Sequence, residues 1–167
     1  MKPKILLLVS LVAIGLSITS CKKESSNITL IAPNFLINES THYFYTFVTA
    51  PVDSTFLLTE IINTTPVPIF RIFNGHMLLS PDDEIRFLNS GDIINSSTSE
   101  WSSSTCARIC PTSIFGQGIK YLAFYFSRNG ANHYGWIKLN FTGTNSFIIE
   151  EIAYNNNPEE AINAGQK

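Results

Sequence analysis

Eight short apolar segments, several of them separated by prolines, recur along the chain beyond residue 27 and constrain its fold most strongly. The segments, rich in β-branched and aromatic residues, are 28–32, 43–49, 56–62, 68–73, 84–88, 119–127, 134–142 and 146–154. Between them lie Pro33, Pro51, Pro66, Pro81 and Pro111, where proline is tolerated if the segments are strands. No segment keeps the apolar period of a helix. The pattern predicts an all-β fold, a single antiparallel β-sandwich with jelly-roll-like topology.

The C-terminal third contains the clearest pair of strands. Residues 119–127 are apolar on both faces, which predicts a central strand covered on both sides. Residues 134–142 alternate between an aliphatic face and a polar, aromatic face. Residues 128–133 are predicted to form the turn that joins these two strands.

Two other stretches are predicted to be turns or loops. Asn74-Gly75 is a hairpin-type dipeptide with apolar flanks. Residues 95–105 are rich in serine and cannot bury enough apolar area to form a core strand. We therefore expect a long exposed loop there, holding a single aromatic residue, Trp101.

The N-terminus has a different character from the rest of the chain. A basic start with Lys2 and Lys4 precedes an apolar run, Ile5–Ile18, and the segment closes with small residues before Cys21. The run of about 14 residues is too short for a comfortable membrane span, which needs roughly 20. This pattern resembles a bacterial lipoprotein signal peptide that is cut before Cys21. A retained anchor helix, or a plain signal peptide with an incidental cysteine, stays open as an alternative.

That resemblance implies a division of the chain and a location. Residues 1–20 would be the signal peptide, residues 21–27 a lipidated cysteine with a polar tether, and residues 28–167 the β-sandwich domain. The lipid on Cys21 would hold the protein to a membrane, as an outer-membrane lipoprotein of a Gram-negative bacterium that faces the periplasm or the outside.

Charge limits the partners of the mature chain. Without Lys2 and Lys4, the 11 basic residues of the chain fall to 9 against 13 acidic ones, a net charge of −4. A negative chain is not expected to bind nucleic acid.

The remaining cysteines, Cys106 and Cys110, are an even pair in an exported chain. We expect a disulfide that closes a small loop, worth about 2 kcal/mol. A free thiol pair, or a redox or metal role, stays open as an alternative.

The C-terminal hairpin resembles a widespread group of uncharacterised secreted and lipid-anchored bacterial proteins of the Bacteroidetes type. The group shares an aromatic strand, a Y-G-W-[IV]-x-[LV] strand, an A-Y pair and a terminal I-x-A-G. The matching residues are Ala123–Phe126, Tyr134–Leu139, Ala153-Tyr154 and Ile162–Gly165. The resemblance implies an exported β-domain and says almost nothing about activity.

One strand carries the best candidate binding residues. Trp136 shares a predicted face with Tyr134, Lys138 and Asn140, a mixture that can stack on a sugar ring and bind its hydroxyl groups. Trp101 is a further candidate, and the expected partner is a glycan or an envelope protein. For Trp136 itself we favour packing in the core beneath a second layer, because the neighbouring predicted strand 119–127 is apolar on both faces. Stacking on a sugar is the alternative for this residue.

The chain contains no recognisable catalytic, metal or cofactor motif. His42, His76 and His133 have no metal-ligand spacing. Glu150 and Glu151 are adjacent, so on a regular strand they point to opposite faces and cannot flank one glycosidic bond without a bulge. We therefore expect a cell-envelope lipoprotein that acts as a non-enzymatic binding or surface-structural module. A glycan-active hydrolase is the alternative.

Overall fold

The computed structural model describes residues 27–38, 43–48, 55–62, 67–80, 84–98, 100–102, 107–108, 118–143 and 146–167. Every regular element within these ranges is a β-strand, which confirms the predicted all-β class. The jelly-roll-like sandwich stays a prediction. Within the described residues no helix is long and apolar enough to cross a membrane.

Fourteen strands make up the described structure. They are β1 (Ile28–Ile31), β2 (Phe35–Ile37), β3 (Tyr43–Val48), β4 (Thr55–Ile62), β5 (Val67–Phe73), β6 (Gly75–Leu78), β7 (Phe87–Leu88), β8 (Ile93–Ile94), β9 (Trp101–Ser102), β10 (Ala107–Arg108), β11 (Gly118–Arg128), β12 (Ala131–Gly143), β13 (Ser146–Asn155) and β14 (Ile162–Asn163). The strand predicted at 84–88 is shorter than expected. Ile85 forms an isolated bridge with Leu79, and the strand itself, β7, contains two residues, Phe87 and Leu88.

The large sheet has the order β1-β13-β12-β11-β6-β9, with β2 also paired to β13 and β7 to β11. Its centre is an antiparallel meander of β11, β12 and β13. The turn between β11 and β12 is tighter than predicted, because Arg128 already pairs with Ala131. Asn129 and Gly130 alone make the turn, with φ values of 54° and 77°, as in the two-residue hairpins that these residue types favour.

Two smaller sheets complete the fold, with the orders β10-β5-β4-β3 and β14-β8. Asn74-Gly75 joins β5 of one sheet to β6 of another, so the predicted hairpin at this dipeptide is wrong. Gly75 is required for a packing reason, since a Cβ there would lie 2.8 Å from the carbonyl oxygen of Tyr125. The backbone crosses between sheets at a point where no side chain fits.

Both faces of the large sheet are buried, as predicted for residues 119–127. The first core is the cluster on one face, and Phe70 and Ile72 of β5 contribute to it from the second sheet. Its members from the large sheet include Ile37, Leu122, Phe124, Phe126, Ile137, Leu139, Phe141, Phe147, Ile149 and Ile152. The second core lies on the opposite face and consists of Leu78, Ile94, Tyr121, Ala123, Tyr134, Trp136, Ala153, Ile162 and Ala164.

The segment predicted to be an exposed loop at 95–105 is partly ordered against the sheet. The Asn95 side-chain oxygen accepts hydrogen bonds from the backbone N–H groups of Ser97 and Thr98, which forms a tight turn. Trp101 then pairs with Leu78 in register and packs, half-buried, against the second core. The predicted loop is therefore wrong at β9, because an apolar edge at β6 was available to pair with it.

The predicted signal peptide, residues 1–20, lies outside the described residues, as do Cys21 and the rest of the predicted 21–27 segment up to residue 26. Cys106 and Cys110 also lie outside them. Lipidation and the disulfide therefore stay predictions.

Candidate functional site

The predicted binding residues all lie on the second face, but the structure separates them into three environments. Tyr134 and Trp101 meet in an aromatic group at one end of the face. Trp136 lies at the centre, inside the second core. Lys138 and Asn140 lie at the other end, where both contact Glu150. The five residues therefore do not form one site.

Trp136 is fully buried, at 0% exposure. It pairs with Ala123 on one side and Ala153 on the other, and its ring meets Tyr121 edge-on with centroids 5.5 Å apart. Its indole nitrogen has no hydrogen-bond partner among the described residues. This burial agrees with core packing, the favoured prediction for Trp136, and leaves no ring face exposed for stacking on a sugar.

Two short strands cover Trp136. Ile94 of β8 and Ile162 of β14 belong to the second core, and Ile162 pairs with Ile94 in register. Backbone hydrogen bonds join the two segments further, from Gly91 N to Ala164 O and from Ala164 N to Asp92 O, each 2.9 Å. We call residues 89–95 and 161–165 the cover of the second core.

The aromatic cluster consists of His76, Trp101, Tyr125 and Tyr134. Trp101 meets Tyr125 edge-on at 4.9 Å, and the Tyr134 centroid lies 6.2 Å from Trp101 and 5.9 Å from Tyr125. His76 stacks on Tyr125 at 4.5 Å. Tyr134 is buried, whereas the other three rings are half-buried and reach solvent. The cluster thus offers partly accessible rings supported by a buried one.

Glu159 borders the aromatic cluster. One carboxylate oxygen accepts the Tyr134 hydroxyl at 3.2 Å, and the other accepts the backbone N–H of Asn132 at 2.7 Å. Burial, followed by the negative charge of Glu159, raises the pKa of both Tyr125 and Tyr134. The carboxylate therefore acts electrostatically on two rings of the cluster.

The charged cluster, at the opposite end, contains Lys138, Asn140, Glu150, Glu151 and Lys167. Lys138 lies 2.8 Å from one Glu150 oxygen, and the Asn140 amide donates to the other at 2.8 Å. Lys167 lies 2.5 Å from Glu151. The hydrogen bond from Lys138 is the main cause that lowers the pKa of Glu150, and the same bond raises the pKa of Lys138.

A β-bulge places both glutamates on one face. Lys138 pairs with Glu151 and Leu139 with Ile149, which leaves Glu150 as an extra residue. Ile149 and Ile152 both enter the first core, so both intervening glutamates turn away from it. The two glutamates therefore can face one ligand, contrary to the expectation for a regular strand. Glu150 is nevertheless a poor general acid, because that role needs a raised pKa and the pKa of Glu150 is lowered.

Neither described histidine lies in a metal-binding group. Among the described residues no three His, Cys, Asp or Glu side chains come together as a possible metal site. His133 is buried, with Nδ1 3.0 Å from the carbonyl oxygen of Asn155, and His76 Nδ1 lies 3.2 Å from that of Ser102. Both rings therefore bond to the backbone.

Sequence reasoning missed three members of the aromatic site: His76, Tyr125 and Glu159. The pairing of β11 with β6, which places His76 beside Tyr125, has no local signal in the sequence. Glu159 reaches Tyr134 from 25 residues away. Only the three-dimensional register brings these groups together.

No protein-family model, curated protein or solved structure matches this chain. The resemblance of the C-terminal hairpin to secreted and lipid-anchored bacterial proteins therefore stays a prediction. Function is argued below from the residues and their geometry alone.

Proposed function

We propose that this protein is a lipid-anchored protein of the bacterial cell envelope whose β-domain is a non-enzymatic binding module. The aromatic cluster carries the binding part of the proposal. Half-buried rings beside a carboxylate and backbone polar groups are the usual means of holding a sugar, by stacking and by hydrogen bonds to hydroxyl groups. A glycan is therefore the proposed ligand class, with Trp101 in place of Trp136 as the main contact.

The charged cluster supports a structural role better than a hydrolytic one. Glu150 and Glu151 each have a lysine partner, Lys138 and Lys167. A retaining glycosidase needs one protonated carboxylic acid and one free carboxylate nucleophile. Ion-paired glutamates match neither role, so the hydrolase alternative has less support than binding.

The N-terminal pattern carries the envelope part of the proposal. Cleavage before Cys21 and its lipidation tether the domain through residues 22–27 to the outer membrane of a Gram-negative cell, facing the periplasm or the outside. In that oxidising location Cys106 and Cys110 form a disulfide. The resemblance of the C-terminal hairpin to exported proteins supports the same location.

Fractionation tests the anchor. Expressed with its own signal in a Gram-negative host, the protein is expected in the membrane fraction, and Cys21→Ser is expected to release it. Cys106→Ser is the matched control and should stay with the membrane. Membrane retention of Cys21→Ser would contradict lipidation at this residue.

A glycan array tests the ligand class. The domain from residue 28 is expected to bind at least one glycan, and Trp101→Ala should lose that binding. Ile119→Ala is the control, because Ile119 is an exposed apolar residue of the same sheet outside the aromatic cluster. Binding by neither protein, or equal binding by wild type and Trp101→Ala, would contradict the proposal.

A further inference from the structure

We infer that the aromatic cluster, together with Glu159, binds a saccharide that carries a free, protonated amino group. This inference deepens the proposed binding function and rests on it. The ring faces would pack against the sugar, and the Glu159 carboxylate would accept hydrogen bonds from the ammonium group. Three observations support a cationic ligand over a neutral one.

The first observation is the unmatched charge of Glu159. Its carboxylate bonds to two neutral donors, the Tyr134 hydroxyl and the Asn132 amide, and no ion pair to it occurs among the described residues. Three other glutamates are paired with cations: Glu100 with Arg86, Glu150 with Lys138 and Glu151 with Lys167, whereas Glu160 bonds to the Asn155 and Asn157 amides. A cationic ligand group would supply the ion pair that Glu159 lacks among the described residues.

The second observation is that the rings and the carboxylate both present negative electrostatic potential to a ligand. Aromatic faces carry partial negative charge and attract cations, tryptophan most strongly. Tyr134 connects the two, since its hydroxyl bonds to Glu159 and its ring lies 6.2 Å from that of Trp101. The pKa of Tyr125 and Tyr134 is raised mainly by burial, and the negative charge of Glu159 raises it further. An ammonium group would lower the energy of this arrangement.

The third observation is that the backbone holds Glu159 in place. Its φ is 60°, a left-handed conformation that is uncommon for a residue with a side chain. Its own N–H donates to the Asn132 carbonyl at 2.8 Å, while its carboxylate accepts the Asn132 N–H. Strained residues of this kind persist where the surroundings fix them, often at ligand sites. A fixed carboxylate loses little entropy when a ligand binds.

A sugar with an amine fits this site better than a neutral sugar. A carboxylate forms a charge-assisted hydrogen bond with either a hydroxyl or an ammonium group, but only the ammonium group adds the attraction between two opposite charges. A simple amine would satisfy Glu159 but leave the half-buried Trp101 ring without a flat partner. An aminosugar supplies both groups in one ring.

A pair of matched probes tests the inference by calorimetry. A trisaccharide of glucosamine is compared with the same trisaccharide fully N-acetylated, in mildly acidic buffer of low salt. Wild type is expected to bind the free amine about tenfold more tightly, a difference of about 1.4 kcal/mol. Because the Debye length becomes shorter as the salt concentration rises, this preference should shrink at high ionic strength.

Variants then assign the preference to Glu159. Glu159→Gln should bind both probes equally, and Glu159→Asp, which keeps the charge, should retain part of the preference. Glu100→Gln is the matched control, because Glu100 also has a left-handed backbone, with φ of 73°, but its charge is paired with Arg86. Trp101→Ala should weaken both probes. Circular dichroism checks that each variant is folded.

The outcomes separate this inference from the proposed function. Equal binding of both probes by wild type, lost in Trp101→Ala, would overturn the amine preference and leave glycan binding intact. An unchanged preference in folded Glu159→Gln would also overturn it, because the net negative charge of the domain would then be the cause. No binding of either probe, and none on a glycan array, would overturn both.

Discussion

The two faces of the large sheet are both buried, but by different means. On the first face, Phe70 and Ile72 of another sheet join a continuous apolar core. On the second face, a cover of short segments closes a smaller core around Trp136. Carboxylates with hydrogen-bonded partners lie at both ends of that smaller core, Glu159 at one end and Glu150 at the other. The difference indicates that one face stabilises the domain and the other presents its chemistry.

The lengths of the strands predict different local stabilities for the meander and for the cover of the second core. The meander strands β11, β12 and β13 are each ten residues or longer, whereas β8 and β14 pair over two residues each. Regions held by few hydrogen bonds open at lower free-energy cost than the global unfolding reaction. The cover is thus expected to open while the first core stays intact.

The largest expected effect is that of Gly135→Ala, on the first face. A Cβ at this position would lie 2.5 Å from both the carbonyl oxygen of Ala153 and the Phe124 ring. Neither neighbour can move without disturbing the meander, so we expect a loss of about 3 kcal/mol or more in the free energy of unfolding. Gly143→Ala is the control in the same strand, since its nearest neighbour is the Ser146 hydroxyl at 3.2 Å. Urea denaturation of both variants measures the difference, and equal stability would contradict this account.

Truncation of one isoleucine on each face tests the comparison directly. Ile152 and Ile162 are both fully buried, in the first and the second core respectively. Each change to alanine removes packing worth about 2–5 kcal/mol. Ile152→Ala should lower the free energy of global unfolding, whereas Ile162→Ala should mainly speed amide exchange in the cover. Hydrogen exchange that rises equally in the cover and in β12 of Ile162→Ala would show that the two faces unfold together.

A smaller, pH-dependent effect is expected at the charged cluster. The folded state lowers the pKa of Glu150 below its ordinary value of 4.5. The ionised form therefore stabilises the fold above that pH, and this contribution is lost as the pH falls through the lowered value. Glu150→Gln should cost about 1 kcal/mol near neutral pH. In acid the stability of Glu150→Gln should approach that of wild type, which thermal melting across the pH range measures. If the difference in stability between the two proteins does not narrow as the pH falls, the ion pair is not its cause.

The smallest effect is expected at the exposed ion pair of Arg86 with Glu100. Both side chains are largely solvated, at 50% and 42% exposure. Exposed pairs contribute between zero and about 1 kcal/mol, so Arg86→Ala should change the melting temperature little. A large loss of stability would show that this pair holds β9, and with it Trp101, on the second face.

The C-terminal meander could be predicted from the sequence because its signals are local. Alternation in residues 134–142 and apolar residues on both sides of 119–127 correctly assigned the members of the two faces. Asn129-Gly130 lies between them and forms the tight turn that its residue types favour.

Features that depend on distant partners could not be predicted. Core packing was the favoured prediction for Trp136, but the residues that cover it, Ile94 and Ile162, lie in separate, weakly patterned segments and were not predicted. Asn74-Gly75 has the composition of a hairpin turn, yet its flanking strands belong to different sheets. The bulge at Glu150 follows from a register shift that no residue type announces. In each case the structure depends on the partner strand and not on the local sequence pattern.

The pairing of β1 with β13 has a consequence for how the protein is made. The side chains of Thr29 and Asn156, 127 residues apart, hydrogen-bond at 3.1 Å, beside a register that joins Ile28 to Asn155. A chain that emerges from the ribosome N-terminus first therefore has no partner for its earliest strand until almost all of it has been synthesised. Closing so long a loop is also entropically slow. We therefore expect β1 to stay unpaired until synthesis is nearly complete, which suits the proposed export of an unfolded chain.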